Sequence, residues 1–170
     1  MENHELADDF WQFSLRLYGS PGIEAASLEL QDRFGLNVNM VLYCCWAGSL
    51  GIELDSASLS RLVTGSERWQ QAVVRPLREV RRGLKDMEIE GISKEARETV
   101  RNIVKSAELR AEKQEQFMLA GLLGEPRREQ PGQLKASRNF ERYLSITGAE
   151  NAVEITDIWA VIVATAFGNS

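Results

Sequence analysis

Met40-Val41-Leu42-Tyr43-Cys44-Cys45-Trp46-Ala47 sets eight side chains of apolar or aromatic character in a row without a charge among them. Successive residues on an α-helix turn by about 100°, so such a run clothes a helix on every side. A helix without a polar face belongs inside a bundle. The stretch is too short to cross a bilayer, which takes about 20 apolar residues. Asn37 or Asn39 can cap its start, and Gly48 and Gly51 end it near Leu50. Apolar spacing is helical almost everywhere else, and no segment alternates as a half-buried strand does. The expected fold is therefore all-α: a single irregular bundle of six to eight helices around a fully apolar central helix.

Towards the N-terminus, a helix is expected from Asp8 or Asp9 to Tyr18, with residues 1–7 as a flexible tail and Gly19 as the stop. Ser20-Pro21 reads as an N-cap followed by proline in the first turn, opening a second helix that carries Ile23, Leu30 and Phe34 and ends at Gly35. Beyond the central helix, Asp55 or Ser56 caps a short helix to about Val63. A long segment from Gly65-Ser66 to about Glu90 aligns Trp69, Val73, Leu77, Val80, Leu84 and Met87 on one side. Pro76 should kink or restart it near Gln71 to Arg75.

Ser93 caps a second long helix, Lys94 to about Leu122. Its expected inner stripe is Ala96, Val100, Ile103, Ala107, Ala111 and Met118, with Glu108, Glu112 and Glu115 turned to solvent. The two long helices read as an antiparallel hairpin. Residues 124–137 read as a mobile loop, Arg138 to Thr147 as a short helix, and Ile155 to Phe167 as a second buried helix.

At 170 residues, 44% hydrophobic and 26% charged, the chain suits one globular domain. A formal charge of -5 argues against a general polyanion binder. The acidic start is unlike a secretory leader, Glu2 occupies the myristoylation position, and adjacent Cys44 and Cys45 form a poor disulfide pair. The expected location is a reducing cytoplasm. A single histidine, His4, leaves metal sites and base-activated nucleophiles without their usual residues, so no catalytic, metal or cofactor residue is assigned.

Two surface features remain. Arg75, Arg78, Arg82 and Lys85, with Arg81 beside them, form a basic stripe that is either a solvated helix face paired with Glu79, Asp86 and the acidic first helices or a surface for an acidic partner protein, and no interleaved aromatics favour nucleic acid. Asp32, Asn37 and Asn39 cluster around Gly35 before the apolar helix. With Trp46 they outline a pocket between helices.

Phe10-Trp11-Gln12-Phe13-Ser14-Leu15-Arg16-Leu17-Tyr18, then Pro21-Gly22, Leu30-Gln31-Asp32, Gly35 and Asn37-Val38-Asn39 leading to Cys44, Trp46 and Gly48, resemble an uncharacterised proteobacterial family of about this length that carries a domain-of-unknown-function label. The resemblance implies a soluble bacterial protein and brings no activity or cofactor with it. The expected function is a non-enzymatic protein-interaction or regulatory role, with a protein partner or a second copy of the chain. The alternative is a small-molecule binder or unrecognised enzyme with its pocket near Asp32, Asn39 and Trp46.

Overall fold

The computed structural model describes residues 3–123, 129–149 and 153–168. These form α1 (Asn3–Tyr18), α2 (Ile23–Phe34), α3 (Val38–Ser49), α4 (Ser56–Trp69), a π-turn (Gln70–Val74), α5 (Arg75–Asp86), α6 (Lys94–Gly121), α7 (Gln133–Thr147) and α8 (Val153–Phe167), with no strand among the described residues. Because α4, the π-turn and α5 run on without a break, the described residues build seven rods, and the all-α bundle is the observed fold.

The element ends follow local chemistry. Asn37 has an extended backbone and its Oδ1 accepts the Asn39 amide at 2.9 Å, starting α3. Asp55 and Ser93 cap α4 and α6 in the same manner. α2 closes on Gly35, left-handed at φ 69°, where the amides of Gly35 and Leu36 return to the Gln31 and Leu30 carbonyls.

Every side chain from Met40 to Ala47 is buried, and α3 has neighbours in α1, α2, α6, α7 and α8. Phe10 stacks on Trp46 and meets Tyr43 edge-on, which fastens α1 to the rod. Burial pushes the Cys44 and Cys45 thiols well above their ordinary range, so both pack as small apolar groups.

Several expected boundaries move. α1 begins at Asn3, not Asp8, because Leu6 and Ala7 pack into the core and extend the helix through part of the expected tail. α4 continues through Gly65, since a lone glycine in a packed helix costs only about 1 kcal/mol and does not stop it. The interruption falls just ahead of Pro76, which has no amide proton and crowds the carbonyl behind it. There the helix widens, and Arg75 N–H reaches the Gln70 carbonyl.

Of the expected mobile loop, residues 124–128 lie outside the described residues and 133–137 are the first turn of α7. Glu129 and Gly132 donate amides to the Gly51 and Gly48 carbonyls at 2.9 and 3.1 Å, so this stretch is pinned to the end of α3.

The second buried rod is a correction. α8 is a helix but lies on the outside, against α2 and α7. Ile155, Trp159, Ile162 and Val163 face inward while Val153 and Val161 are 72% and 50% exposed. A uniformly apolar composition set its average hydropathy without setting how many neighbours it has.

α3 and α7 approach closely only because residue 48 is glycine. A Cβ there would stand 2.6 Å from both the Cβ and the backbone nitrogen of Ala136. Gly48→Ala should therefore lower the unfolding free energy by about 1–3 kcal/mol, as overpacking does. Gly83→Ala on α5, with nothing within 4 Å of the new methyl, should raise it by about 0.5–1 kcal/mol. Urea unfolding of the two variants checks the opposite signs.

Candidate functional site

A fully buried carboxyl group organises the polar interior. Glu115 on α6 is 0% exposed. Its Oε1 accepts from Asn37 Nδ2 and Ser66 Oγ, each at 2.6 Å, and its Oε2 from Asn39 Nδ2 at 2.8 Å and Gln70 Nε2 at 2.7 Å. The donors come from the start of α3, from α4 and from the π-turn. Ser66 and Gln70 are four residues apart and so share one face of their helical run. No Lys or Arg contacts this carboxyl group among the described residues. Neutral amides and a hydroxyl satisfy it instead.

The network extends outward. Gln116 Nε2 donates to Asn39 Oδ1 at 2.8 Å, and Tyr143 Oη accepts the Asn37 amide at 3.0 Å. One and two turns back along α6 lie Glu112 and Glu108, which meet α5. Arg78 Nε donates to Glu108 at 2.9 Å and its Nη2 to Glu112 at 2.8 Å, while Arg81 Nε donates to Glu108 at 2.5 Å. Burial pushes Glu112 up, and the carboxyl groups of Glu108 and Glu115 add to that against Arg78. Burial also lifts Glu108, but the hydrogen bonds of Arg81 and Arg78 outweigh it and hold its carboxyl below the usual range.

Beside this ladder lies a pocket of about 420 Å³ bounded by α1, α2, α3, the π-turn, α5 and α6. Trp11 and Tyr18 form one wall and Val38 and Leu42 another. Leu15, Leu28 and Leu109, all exposed, mark its mouth. Asn39, Gln116 and Ser14 lie at its base. Ser14 Oγ and Gln116 Oε1 are buried there with no hydrogen-bond partner among the described residues. A second cleft of about 330 Å³ adjoins it, sharing Gln31, Asn37, Gln70 and Arg78 and adding Asp32, Arg75 and Arg82.

The structure sorts the expected site residues. Asn37 and Asn39 come together on Glu115, with Asn37 also capping α3. Asp32 stays at the exposed end of α2, paired with Arg82 at 2.7 Å, and lines only the second cleft. Trp46 is sealed in the core with its Nε1 donating to Asp9 at 2.7 Å, and it lines neither cavity. Trp11 is the tryptophan at the pocket.

The basic stripe divides. Arg78 turns inward to α6, Arg75 pairs with Glu67 at 2.8 Å, Arg82 pairs with Asp32, and Lys85 is exposed. Glu108, Glu112 and Glu115 are the largest correction, because the expected solvated face is the inner one. Val100 and Ile103 of the expected seam are 48% and 65% exposed. The charged face of α6 has arginines and amides to meet, whereas the N-terminal part of the expected stripe is exposed and only its far end, Ala111 and Met118, packs inward.

Ser14, Ser66, Gln70, Glu115 and Gln116 escape the sequence reading. A signal did exist for the last two: Glu115-Gln116 sits directly before Phe117-Met118-Leu119-Ala120, and Leu119 is on the same helical face as Glu108, Glu112 and Glu115. Among the described residues no group of three or more His, Cys, Asp or Glu is placed to hold a metal ion. No described helix is long and apolar enough to cross a membrane.

The family model for a protein of unknown function, DUF2390, matches residues 9–119. The chain belongs to that family. The matched span holds every residue lining both cavities and the whole of the Glu115 network except Tyr143. No curated protein and no solved structure matches the sequence.

Removing Glu115 takes an acceptor from four donors, three of them on buried residues. Glu115→Ala should cost about 3–5 kcal/mol in urea unfolding. Glu115→Gln should cost less, because a flipped Gln70 amide can offer its oxygen to the new N–H.

Glu112 and Glu108 should act on stability with opposite pH dependence. The raised Glu112 value means the folded chain holds that proton more tightly than the unfolded chain. Its contribution is present below the ordinary glutamate range and is lost as pH rises through the raised value. The lowered Glu108 value contributes above the ordinary range and is lost as pH falls through the depressed value. In urea midpoints measured across acid and neutral pH, Glu112→Gln should remove the loss on the rising side and Glu108→Gln the loss on the falling side.

Proposed function

We propose that this member of the DUF2390 family is a small-molecule-binding protein whose ligand occupies the pocket beside Asn39 and Gln116. One observation carries this reading: Ser14 and Gln116, each with a buried polar side-chain atom that lacks a partner among the described residues, line the same cavity of about 420 Å³. Native interiors rarely leave such atoms unpaired, and a bound polar group is an ordinary reason for the exception. The size and mixed aromatic, aliphatic and polar lining suit a drug-sized molecule. Two unpaired thiols and the resemblance to a proteobacterial family support a bacterial cytoplasm as its setting.

A second reading, a protein-contact role, draws on a different part of the molecule. The hairpin of α5 and α6 leaves Val80, Met87, Ile89, Ile92, Val100 and Ile103 exposed along its far half, and α5 buries none of its residues fully. Lys85 and the exposed Arg82 lie on the same arm. Such a surface suits a helical partner or a second copy of the chain.

The pocket reading is tested by filling the pocket. Ser14→Leu places a branched side chain at its base. A metabolite collection screened by thermal shift should yield compounds that raise the melting temperature of the wild-type chain and leave that of Ser14→Leu unchanged. Compounds that shift both equally, or an absence of hits on the wild type, would count against the pocket.

A further inference from the structure

The outer half of the α5–α6 hairpin stands clear of the bundle. α5 packs mainly on α6 and buries none of its residues, and no residue of α6 ahead of Glu108 is buried. Arg81 donates to Glu108 and Arg97 to the Met87 carbonyl, which marks the faces that the two helices turn to each other. Val80 and Met87 lie about 100° round α5 from that face. Ala96, Val100, Ile103 and Ala107 lie about 100° round α6 in the same rotational sense. In antiparallel helices an equal sense of rotation leads to one side of the pair. The four large side chains, each 41–65% exposed, therefore form a single apolar face, and no charge falls between them on that side.

The spacing of this face is symmetric. Ala96, Val100, Ile103 and Ala107 follow one another by steps of four, three and four residues, which read the same from either end. On α5, Val80 and Met87 stand on either side of Gly83-Leu84. The midpoints of the two stripes lie at nearly the same height, since the Arg97–Met87 and Arg81–Glu108 contacts bracket both. One two-fold axis through both midpoints sets Val100 against Ile103 of a second copy, Ala96 against Ala107, and Val80 against Met87. Large side chains meet large ones, and small meet small.

Charge follows the same symmetry. At the hairpin tip Asp86, Glu88, Glu90 and Glu95 outnumber Lys85 and Lys94, whereas the exposed Arg110 follows the face towards the bundle. The two-fold axis carries the acidic tip of each copy towards Arg110 of the other. From these three observations we infer that the face is a homodimer interface, in which two hairpins pair antiparallel as a four-helix bundle. The inference rests on the protein-contact reading above and commits it to a second copy of the chain. A foreign helix would also cover an apolar face, but only self-pairing calls for a stripe that reads the same in both directions. A face two helices wide and about 20 Å long takes on the order of 600 Å² from each copy, the low end of specific interfaces, so the dimer forms reversibly with concentration.

Sedimentation velocity on the full chain, from micromolar to millimolar concentration, should show a monomer passing into a species of twice its mass. Val100→Glu and Ile103→Lys change exposed positions and should leave the helical circular dichroism unaltered. Each should weaken self-association at least about 30-fold, the loss expected at the centre of an interface. Mixed one to one, the two variants should recover the dimer. The register sets the introduced carboxylate of one chain against the introduced ammonium group of the other, and keeps the remaining Ile103 on the remaining Val100.

A chain that stays monomeric at millimolar concentration would overturn the homodimer and leave the contact reading to a foreign helix. Variants that lose the dimer singly and do not regain it when mixed would overturn the two-fold register. A dimer untouched by either substitution would overturn the inference and the contact reading together, because the chain would then associate elsewhere with this face left bare.

Discussion

Burying a carboxyl group is costly unless its oxygens are met by donors, and the way Glu115 is met constrains most of this molecule. Its four donors come from Asn37, Asn39, Ser66 and Gln70. The start of α3, the last turn of α4 and the first residue of the π-turn must therefore all stand within hydrogen-bond reach of one point on α6. Hydrophobic contact alone would let these rods slide against one another, since it is non-directional. The hydrogen bonds supply the register. They also connect two features that look unrelated in the chain, the asparagine pair before the apolar helix and the helix interruption ahead of Pro76.

The central rod was legible because its signal is redundant. Any helix through Met40 to Ala47 is apolar on every side, whatever its exact register. Asn37 and Asn39 were legible as a polar cluster at a helix start, but not their destination, since both residues favour caps for local reasons. The inward face of α6 was misread because a helical wheel ranks faces by polarity alone. It cannot register that Arg78 and Arg81 wait on α5 for Glu108, or that amides wait for Glu115. Two acidic or amide residues on an inner face become acceptable only when the partners arrive from residues far off in sequence. Single-helix periodicity has no access to those.

The same limit explains α8 and the segment before α7. Whether an apolar helix is wrapped or lies against one side of a bundle depends on how many other rods reach it, and α8 meets mainly α2 and α7. Glu129 to Gly132 carries turn residues and charge, yet the amides at its two ends are fixed by the carbonyls of Gly51 and Gly48. The glycines that end the central helix serve a second purpose there. Lacking side chains, they let α7 and its leading strand of backbone approach the rod closely enough for those bonds. Tyr143 on α7 then accepts the Asn37 amide. Among the described residues beyond the family match, the Tyr143 hydroxyl reaches the polar centre, while Asn139 and Arg142 bond the connection between α3 and α4.

Unpaired polar atoms do not by themselves mark a functional site. Ser27 Oγ and Tyr43 Oη are also buried without partners among the described residues, yet neither residue lines either cavity. What separates Ser14 and Gln116 is that other atoms of both residues line a cavity, and that the Gln116 oxygen is not free to reorient. Rotating its amide to find a donor would break the bond to Asn39, and rotating Asn39 in turn would point an oxygen at Glu115. The cost of leaving one acceptor unmet is therefore held in place by four hydrogen bonds that favour it. A core that satisfies its deepest polar group completely and leaves the neighbouring one open, at the edge of a cavity, departs from the usual consistency of folded chains at one spot. Such a local departure suits a site completed by a molecule from outside.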